Sequence, residues 1–338
     1  MTSNDGFYSS IKSYSKELGI DFISISTVVY YNELYKKIYK VDKSDIDIIF
    51  PKGKTIISSS FYYDYFWNNL DYTSVGYIAP YTVANFYKTL SAKLRMLGRF
   101  IIKQYKKINK NYRIFVNSKI DDKLAAFSTN LGYYGHNSSI IGEYGQRAIL
   151  GTIIFDFDID FDIKKVNLDD SFSLCKDCDI CINSCPMKAI TNIGKVNKEH
   201  CLHHLSSSLE WERKVNNVDI IDIWGQRFFG CSRCVDVCPK NRADLKIGIQ
   251  KDMSGYIGTS FDFHNIFMFQ KNDYKTYFKG NQLAATWIPV ISLVRNSLVA
   301  LCNQNRRDLV KDYIKNMDKF GFDSSEVEYI KRISKLLL

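Results

Sequence analysis

Hydrophobic residues recur with both helical and strand-like periods over the first half of the chain. Helices are predicted over residues 11–19 and 83–106, because apolar side chains return there at helical spacing. Runs rich in β-branched and aromatic residues predict strands over residues 21–29, 55–61, 113–116 and 148–155. This alternation of helices and strands predicts an α/β domain over residues 1–165.

The periodicity changes in the second half of the chain. Residues 166–245 contain most of the cysteines and little regular pattern, and metal binding can organise such a segment because the site itself supplies folding energy. Further helices are predicted over residues 293–303, 307–317 and 325–337. The predicted fold class is therefore α+β, with a cysteine-rich domain over 166–245 and a helical, HEAT-like region over 246–338.

The composition indicates a soluble globular protein. The chain has 338 residues, of which 46% are hydrophobic and 24% are charged, as in ordinary soluble globular proteins. No apolar run approaches the roughly 20 residues that a membrane span needs, and the first residues do not resemble a secretory signal. We therefore expect a cytoplasmic protein, in which cysteines stay reduced and clustered cysteines indicate metal rather than disulfides.

The chain is basic, with a net charge of +10 and a pI near 9.0. This charge fits a polyanionic partner such as RNA. Because lysines occur throughout and form no single basic run, charges scattered over the surface explain the composition equally well.

Seven of the nine cysteines fall into two runs, and an eighth stands alone between them. The first run is Cys175-x₂-Cys178-x₂-Cys181-x₃-Cys185-Pro186, the spacing with which bacterial ferredoxins bind [4Fe–4S] clusters. The isolated residue is Cys201, and the second run is Cys231-x₂-Cys234-x₃-Cys238-Pro239. Because the cysteine before the proline ligates the other cluster in two-cluster proteins, one cluster is assigned to Cys175, Cys178, Cys181 and Cys238. The second is assigned to Cys185, Cys201, Cys231 and Cys234.

Two four-cysteine zinc sites are the alternative, although zinc sites usually use paired Cys-x₂-Cys knuckles. His200, His203 and His204 flank Cys201, and with the cysteine set complete they are expected to lie around the ligands or on the surface. Cys302 lies in an apolar helix and is expected to be a buried structural thiol.

Several short motifs outside the cysteine runs point to one family. They lie at residues 51–57 (PKGKTII), 131–137 (LGYYGHN), 185–190 (CPMKAI), 229–231 (FGC), 238–241 (CPKN) and 295–301 (RNSLVAL). With these motifs and the isolated Cys201, most of the chain resembles the epoxyqueuosine reductases, cobalamin-dependent iron–sulfur enzymes that act late in the synthesis of a modified tRNA base.

The resemblance implies a cobalamin-binding α/β domain, a ferredoxin-like two-cluster domain and a helical tail. It also implies a reductive mechanism, in which the two [4Fe–4S] clusters pass electrons to a base-off corrinoid. The expected partners are tRNA and a low-potential electron donor such as ferredoxin or flavodoxin, and the expected state is a monomer. The predicted cofactor-binding residues are Gly132, Tyr133, Gly135, His136 and Asn137. Small residues would let a macrocycle approach the backbone, although a structural turn also explains these glycines.

The chain departs from the family pattern where the proton donor is expected. The position of the family's aspartate falls on Val116 or Asn117, neither of which is an acid. Asp121, Asp122 and His136 are the predicted donor candidates, although adjacent acids before a helix are often N-terminal caps.

Two further segments also differ from the family. The Asp-Tyr-His at the start of the long helix reads Asn85-Phe86-Tyr87, and an arginine-rich segment reads Ala285-Thr286-Trp287-Ile288-Pro289-Val290. Fewer arginines there lower the expected affinity for nucleic acid.

The leading hypothesis is an iron–sulfur and cobalamin-dependent reductase that converts epoxyqueuosine to queuosine in tRNA. The departures leave two alternatives. One is a diverged corrinoid and iron–sulfur reductase with another substrate, and the other is a non-catalytic electron-transfer or corrinoid-binding protein.

Overall fold

A computed structural model of the chain describes residues 3–63, 75–105, 110–161, 164–211, 220–242 and 253–338. The strands, in chain order, are β1 (Phe22–Thr27), β2 (Thr55–Tyr62), β3 (Val75–Ile78), β4 (Tyr112–Phe115), β5 (Tyr133–Tyr134), β6 (Ile140–Ile141), β7 (Ala148–Phe155), β8 (Ile190–Asn192), β9 (Lys195–Val196), β10 (Arg227–Phe229) and β11 (Ser260–Asp262).

The described helices cover both ends of the chain and the segment between them. In chain order they are α1 (Ser3–Glu17), α2 (Val28–Tyr39), α3 (Asp45–Ile49), α4 (Phe86–Gln104), α5 (Asp122–Ser128), α6 (Ile180–Ser184), α7 (Leu202–Leu205), α8 (Ile220–Trp224), α9 (Arg233–Asp236), α10 (Asn265–Met268), α11 (Asp273–Tyr277), α12 (Val290–Asn303), α13 (Arg307–Lys315) and α14 (Ser324–Leu337). None of the helices in the described ranges is both long and apolar enough to cross a membrane.

The chain divides into two compact units. The first combines residues 1–64, 86–180 and 237–248, and the second combines residues 65–85, 181–236 and 249–338, each as far as it is described. The chain passes between the units within the first cysteine run, and again just before Cys238.

A four-stranded sheet forms the centre of the first unit, with the strand order β1-β2-β7-β4. Every neighbouring pair is antiparallel, and β2 and β7 pair along their whole length from Thr55↔Phe155 to Tyr62↔Ala148. The alternation of helices and strands is therefore not built from parallel βαβ units.

Helices cover both faces of this sheet. On one face α4 lies against β7, with Leu90 and Leu94 fully buried beside Gly151. Gly98 lets α4 approach β4, since a Cβ there would overlap the ring of Tyr112. On the other face α2 and α5 enclose an apolar cluster that includes Leu124. The core thus has three layers. Helix α5 of the second helical layer begins at Asp121 and Asp122.

A smaller sheet and the C-terminal helices form the second unit. Its strand order is β10-β3-β11, with β10 parallel and β11 antiparallel to β3. Helix α12 is buried from Val290 to Cys302, and it packs against β10, α8, α13 and α14. Helix α8 and strand β10, which precede the second cysteine run, are therefore held by contacts with a long buried helix.

The predicted helices and strands are present, with shifts at their ends. The strand predicted over residues 21–29 ends at Thr27, because the Thr27 hydroxyl accepts the Tyr30 N–H at 3.2 Å and starts α2. The helix predicted over 83–106 begins at Phe86 and ends at Gln104, and residue 106 lies outside the described ranges. The mixed α and β fold class is confirmed.

The core side of α4 provides a test of this packing. Replacing Leu94 with Ala should lower the free energy of unfolding by about 2–5 kcal/mol, since the buried side chain would leave a cavity. Met96 on the same helix is 48% exposed, so Met96→Ala should change stability far less. Urea unfolding of both variants checks this, and equal losses would contradict the described orientation of α4.

Candidate functional site

Three cysteines of the first predicted cluster lie in the first unit. Cys175 and Cys178 occupy consecutive turns, in which the Cys178 N–H donates to the Cys175 carbonyl at 2.8 Å and Lys176 has a left-handed φ of 40°. Burial raises the pKa of the Cys238 thiol, and the nearby sulfurs of Cys175 and Cys178 raise it further. Cys238, the last cysteine of the second run, is therefore close to Cys175 and Cys178.

Backbone amides point at these sulfurs. The His136 N–H donates to the Cys175 sulfur, and the Lys240 N–H donates to the Cys238 sulfur. Hydrogen bonds to cysteine sulfur stabilise the thiolate and set the potential of iron–sulfur clusters. The sequence motifs around residues 136 and 240 thus supply donors to the first cysteine group.

Four cysteines of the first and second runs lie in the second unit together with Cys201. Cys181 is within α6, and Cys185 follows that helix and accepts the Ala189 N–H at 3.2 Å. Burial raises the pKa of the Cys201 thiol, and the sulfurs of Cys231 and Cys185 add to this increase. Cys185, the cysteine before the first proline, is therefore near Cys201 and Cys231.

The segment before Cys231 requires a glycine. Gly230 has a φ of 82°, and a Cβ at this position would lie 2.7 Å from the Ala79 side chain and closer still to the Tyr81 hydroxyl. That hydroxyl accepts the Cys231 N–H at 3.3 Å and is hydrogen-bonded to the His203 ring. Tyr81 therefore joins the segment after Cys201 to the segment that begins at Cys231.

The histidines beside Cys201 contribute mainly through their backbone. The N–H groups of His203 and His204 both donate to the Cys201 sulfur. Among the described residues, no three His, Cys, Asp or Glu side chains are placed to hold a single metal ion. Cys302 is 4% exposed, as predicted for a structural thiol, whereas the other cysteines are partly exposed.

The glycine loop forms a tight hairpin beside the first cysteine group. Strand β5 pairs with β6, and the Gly135 N–H donates to the Ser139 carbonyl at 2.7 Å. A Cβ on Gly132 would lie 2.6 Å from the Ile141 carbonyl oxygen, and one on Gly135 would lie 2.9 Å from the Asn137 side chain. Internal packing therefore accounts for both glycines, and their contact with a cofactor stays a prediction.

Two polar residues of this loop, His136 and Asn137, are buried. Asn137 and Gln146 exchange side-chain hydrogen bonds of 2.9 and 3.0 Å. His136 is 2% exposed, and its Nδ1 has no hydrogen-bond partner in the described part of the chain, with Asp179 Oδ1 3.6 Å away. Tyr133 donates to the Asn130 side chain at 3.0 Å. Among the described side chains of this loop, His136 alone has a buried nitrogen without a hydrogen bond.

The Asp121 side chain caps the N-terminus of α5. Its carboxylate accepts the N–H groups of Lys123 and Leu124, both at 3.0 Å, which fixes the start of α5. The same side chain accepts the Tyr39 hydroxyl at 2.6 Å. The capping role that sequence reasoning considered for these acids therefore belongs to Asp121.

Asp122 has a different environment. Its carboxyl accepts the Asn117 N–H at 2.7 Å and the Thr152 hydroxyl of β7 at 3.1 Å. Burial raises the pKa of Asp122 to about 7, despite these two hydrogen bonds. Burial and the charge of Asp122 also raise the pKa of Tyr87 to about 12. Asp122 is thus an acid that can give up a proton near neutral pH.

Val116 and Asn117 lie where the family pattern has an acid. Asn117 is exposed and has a left-handed φ of 48°, a conformation that asparagine tolerates better than most residues. The Asn117 N–H donates a hydrogen bond to the Asp122 carboxyl, and this bond joins the two ends of the loop between them. In the sequence Asp122 is only one of three donor candidates, and no local pattern there indicates its contact with Thr152.

Comparisons with known proteins identify a double-cluster domain around the two cysteine runs. A family model described as a 4Fe–4S double cluster binding domain matches residues 174–241, which include all eight cysteines of the two predicted sites. Curated epoxyqueuosine reductases are similar over longer stretches. That of Aliivibrio fischeri is 25% identical over 304 residues, covering 87% of this chain and 73% of the relative. That of Staphylococcus aureus is 26% identical over 334 residues, covering 89% and 81%.

Solved structures show the same fold. Epoxyqueuosine reductase from Streptococcus thermophilus superposes with a TM-score of 0.74 at 22% identity, covering 96% of this chain and 88% of that one. A crystal structure of epoxyqueuosine reductase with an epoxyqueuosine-modified tRNA-Tyr stem loop gives a TM-score of 0.72 at 17% identity, covering 99% and 100%.

The two cysteine groups lie in a 4Fe–4S double-cluster domain, within a fold that matches solved epoxyqueuosine reductases. The predicted resemblance to the epoxyqueuosine reductases is confirmed, and it extends over most of the chain.

The raised pKa of Asp122 predicts a pH-dependent stability. Because the folded protein holds this proton more tightly than the unfolded chain, the carboxyl stabilises the fold most at acidic pH, and this contribution is lost as the pH rises toward about 7. Asp122→Asn should therefore gain stability relative to wild type between about pH 4 and 7, by a few kcal/mol at most, at about 1.4 kcal/mol per pKa unit. Thermal unfolding across this pH range measures the difference, and a constant difference would contradict the prediction.

Proposed function

We propose that this chain is an iron–sulfur and cobalamin-dependent reductase that converts epoxyqueuosine to queuosine in tRNA. The observation that carries this proposal is the presence of two cysteine groups within a double-cluster domain, in a fold that matches epoxyqueuosine reductases along nearly the whole chain. Electrons would enter through the clusters and leave at the corrinoid.

Each cluster is proposed to have four cysteine ligands. The first would be held by Cys175, Cys178, Cys181 and Cys238, and the second by Cys185, Cys201, Cys231 and Cys234. The placement of Cys238 near Cys175 and Cys178, and of Cys185 near Cys201 and Cys231, supports this crossed assignment. The amide donors aimed at Cys175, Cys185, Cys201 and Cys238 fit anionic cluster sulfur ligands.

Cobalamin is proposed to bind beside the glycine loop, with Gly132, Tyr133, Gly135, His136 and Asn137 as the nearest residues. The buried His136 Nδ1 supports this placement, because a buried nitrogen without a hydrogen bond fits a ligand group that would complete its hydrogen bonding. When bound there, a corrinoid supplies a cobalt centre of low potential for the reductive chemistry. The main chain of the same loop donates to Cys175, which joins the proposed cofactor site to the first cluster.

Asp122 is the proposed proton donor. Loss of the epoxide oxygen as water requires a pair of protons along with a pair of electrons, and a general acid is most effective when its pKa is near the working pH. The raised pKa of Asp122 meets this condition, whereas Asp121 is held as a cap. The Asn117 N–H and the Thr152 hydroxyl would keep the Asp122 carboxyl in one orientation.

The remaining properties are proposed from composition and from the relatives. The net charge of +10 supports binding to tRNA, as does the fold match to a reductase crystallised with a tRNA stem loop. A cytoplasmic monomer that accepts electrons from a ferredoxin or flavodoxin fits the reduced cysteines. We also propose that residues 1–165 form the cobalamin-binding domain, residues 166–245 the two-cluster domain, and residues 246–338 the helical C-terminal region.

A related reductase with another substrate is the second candidate. The exposed Asn117 in place of an acid favours it, and so does Trp287, which is 62% exposed where the family has an arginine-rich segment. Reduced protein that binds cobalamin and both clusters, but leaves epoxyqueuosine-containing tRNA unchanged, would establish this second candidate.

Metal analysis tests the cluster assignment. Anaerobically reconstituted protein should contain about eight iron and eight sulfide per chain, as two cubanes require. Cys201→Ser should lower both to about four, while Cys302→Ser should leave them unchanged because that thiol is buried in the helical core. Stoichiometric zinc with little iron would contradict the assignment.

Paired substitutions test the proton donor. Asp122→Asn should slow the conversion of epoxyqueuosine in tRNA by about 100-fold or more, since it removes a general acid of similar shape. Asp121→Asn should stay within a few-fold of wild type, because asparagine caps helices as well as aspartate does. Single-turnover assays with matched iron and cobalamin content measure both rates, and a larger loss in Asp121→Asn would overturn the choice of Asp122.

A further inference from the structure

Two polar residues lie side by side in the buried part of α12. Arg295 and Asn296 are both 0% exposed, in a helix otherwise packed with apolar side chains. No carboxylate pairs with Arg295 among the described residues. Because a buried charge is costly without compensation, the contacts of this pair need a specific explanation.

Arg295 holds the segment that follows Cys201. Its Nη2 donates to the Leu205 carbonyl at 2.8 Å and to the Ser206 carbonyl at 3.3 Å, and its Nη1 donates to the Ser208 carbonyl. Helix α7 begins immediately after Cys201 and ends at Leu205, where helix carbonyls have no partner within the helix. The guanidinium therefore donates hydrogen bonds to the carbonyl groups at the end of α7, the short helix that begins after the proposed cluster ligand Cys201.

Asn296 connects this segment to the one that leads to Cys231. Its Nδ2 donates to the Ser206 carbonyl at 2.9 Å and to the Phe228 carbonyl of β10 at 2.8 Å. Arg295 Nε and Nη2 donate to Asn296 Oδ1 at 3.1 and 2.7 Å, which fixes the orientation of the amide. A single side-chain amide thus joins the two segments whose ends carry Cys201 and Cys231.

The surroundings favour arginine over lysine. Its guanidinium lies 5.3 Å from the ring of Trp211 and 5.8 Å from that of Trp224, and it also donates to the Tyr329 hydroxyl at 2.8 Å. A planar group with several fixed donors can make these contacts together, whereas a lysine ammonium cannot. Burial lowers the pKa of Arg295, which agrees with a charge held away from water.

We infer that Arg295 and Asn296 are positioning residues for the second cluster, which set the spacing between Cys201 and Cys231 by holding the backbone after one and before the other. This inference rests on the cluster assignment proposed above. The pair contacts neither cysteine directly, and it acts through the carbonyls of Leu205, Ser206 and Phe228.

Loss of the amide should remove one cluster and leave the other. We expect Asn296→Leu, reconstituted anaerobically as the full chain, to contain about four iron instead of about eight, and to give the reduced-state EPR spectrum of Cys201→Ser. Asn296→Asp has nearly the same size and could pair with Arg295, but it cannot donate to the two carbonyls. It should lose the same cluster, which separates positioning from packing.

Asn303 provides a matched control on the same helix. Its Nδ2 also donates to two backbone carbonyls, those of Ile221 at 2.6 Å and Gly225 at 3.0 Å, on a segment without a proposed ligand. Asn303→Leu should therefore keep about eight iron. Full iron content in both Asn296 variants, an equal loss in Asn303→Leu, or loss of both clusters together would overturn the inference. Wild-type protein without about eight iron would instead contradict the cluster assignment itself.

Discussion

Backbone hydrogen bonding to the cysteine sulfurs and around them is the constraint on which the rest of the structure depends. Helices α6 and α9, which carry cysteines of both runs, contain no buried residue. The segments are therefore held by their main chain and by other parts of the fold, and not by an apolar interior of their own. His136, Lys240, Ala189 and the two histidines after Cys201 supply amides that stabilise negative charge on sulfur.

The two units support their cysteine-containing segments in different ways. In the first unit the glycine hairpin presents its main chain to Cys175, and its Asn137 side chain is turned inward and paired with Gln146. In the second unit a buried helix holds carbonyls at the end of α7 and in β10 through Arg295 and Asn296. The cysteine-rich segment can therefore be short and irregular, because α12 and the hairpin provide the rigidity that it lacks.

The sequence was most informative where the determinants are local. Cysteine spacing, the regular leucines of α4 and the β-rich runs each depend on near neighbours, and these elements were predicted. The difference between Asp121 and Asp122 depends on Thr152, which reaches α5 only through the pairing of β7. The packing reasons for Gly132 and Gly135 depend on Ile141 and on the Asn137 side chain. Such contacts leave no pattern in the neighbouring residues, so they could not be predicted.

Burial also separates the nine cysteines by their chemical vulnerability. Cys302 is enclosed by the C-terminal helices, while the other eight are partly open to solvent. Oxidants that strip the clusters would meet accessible thiols gathered in small groups, where neighbouring sulfenic acids and thiols condense readily to disulfides. Damage would thus be concentrated in the segments with the least apolar packing, and the two cores would be spared. A thiol reductant could then return the chain to a state ready to be loaded again.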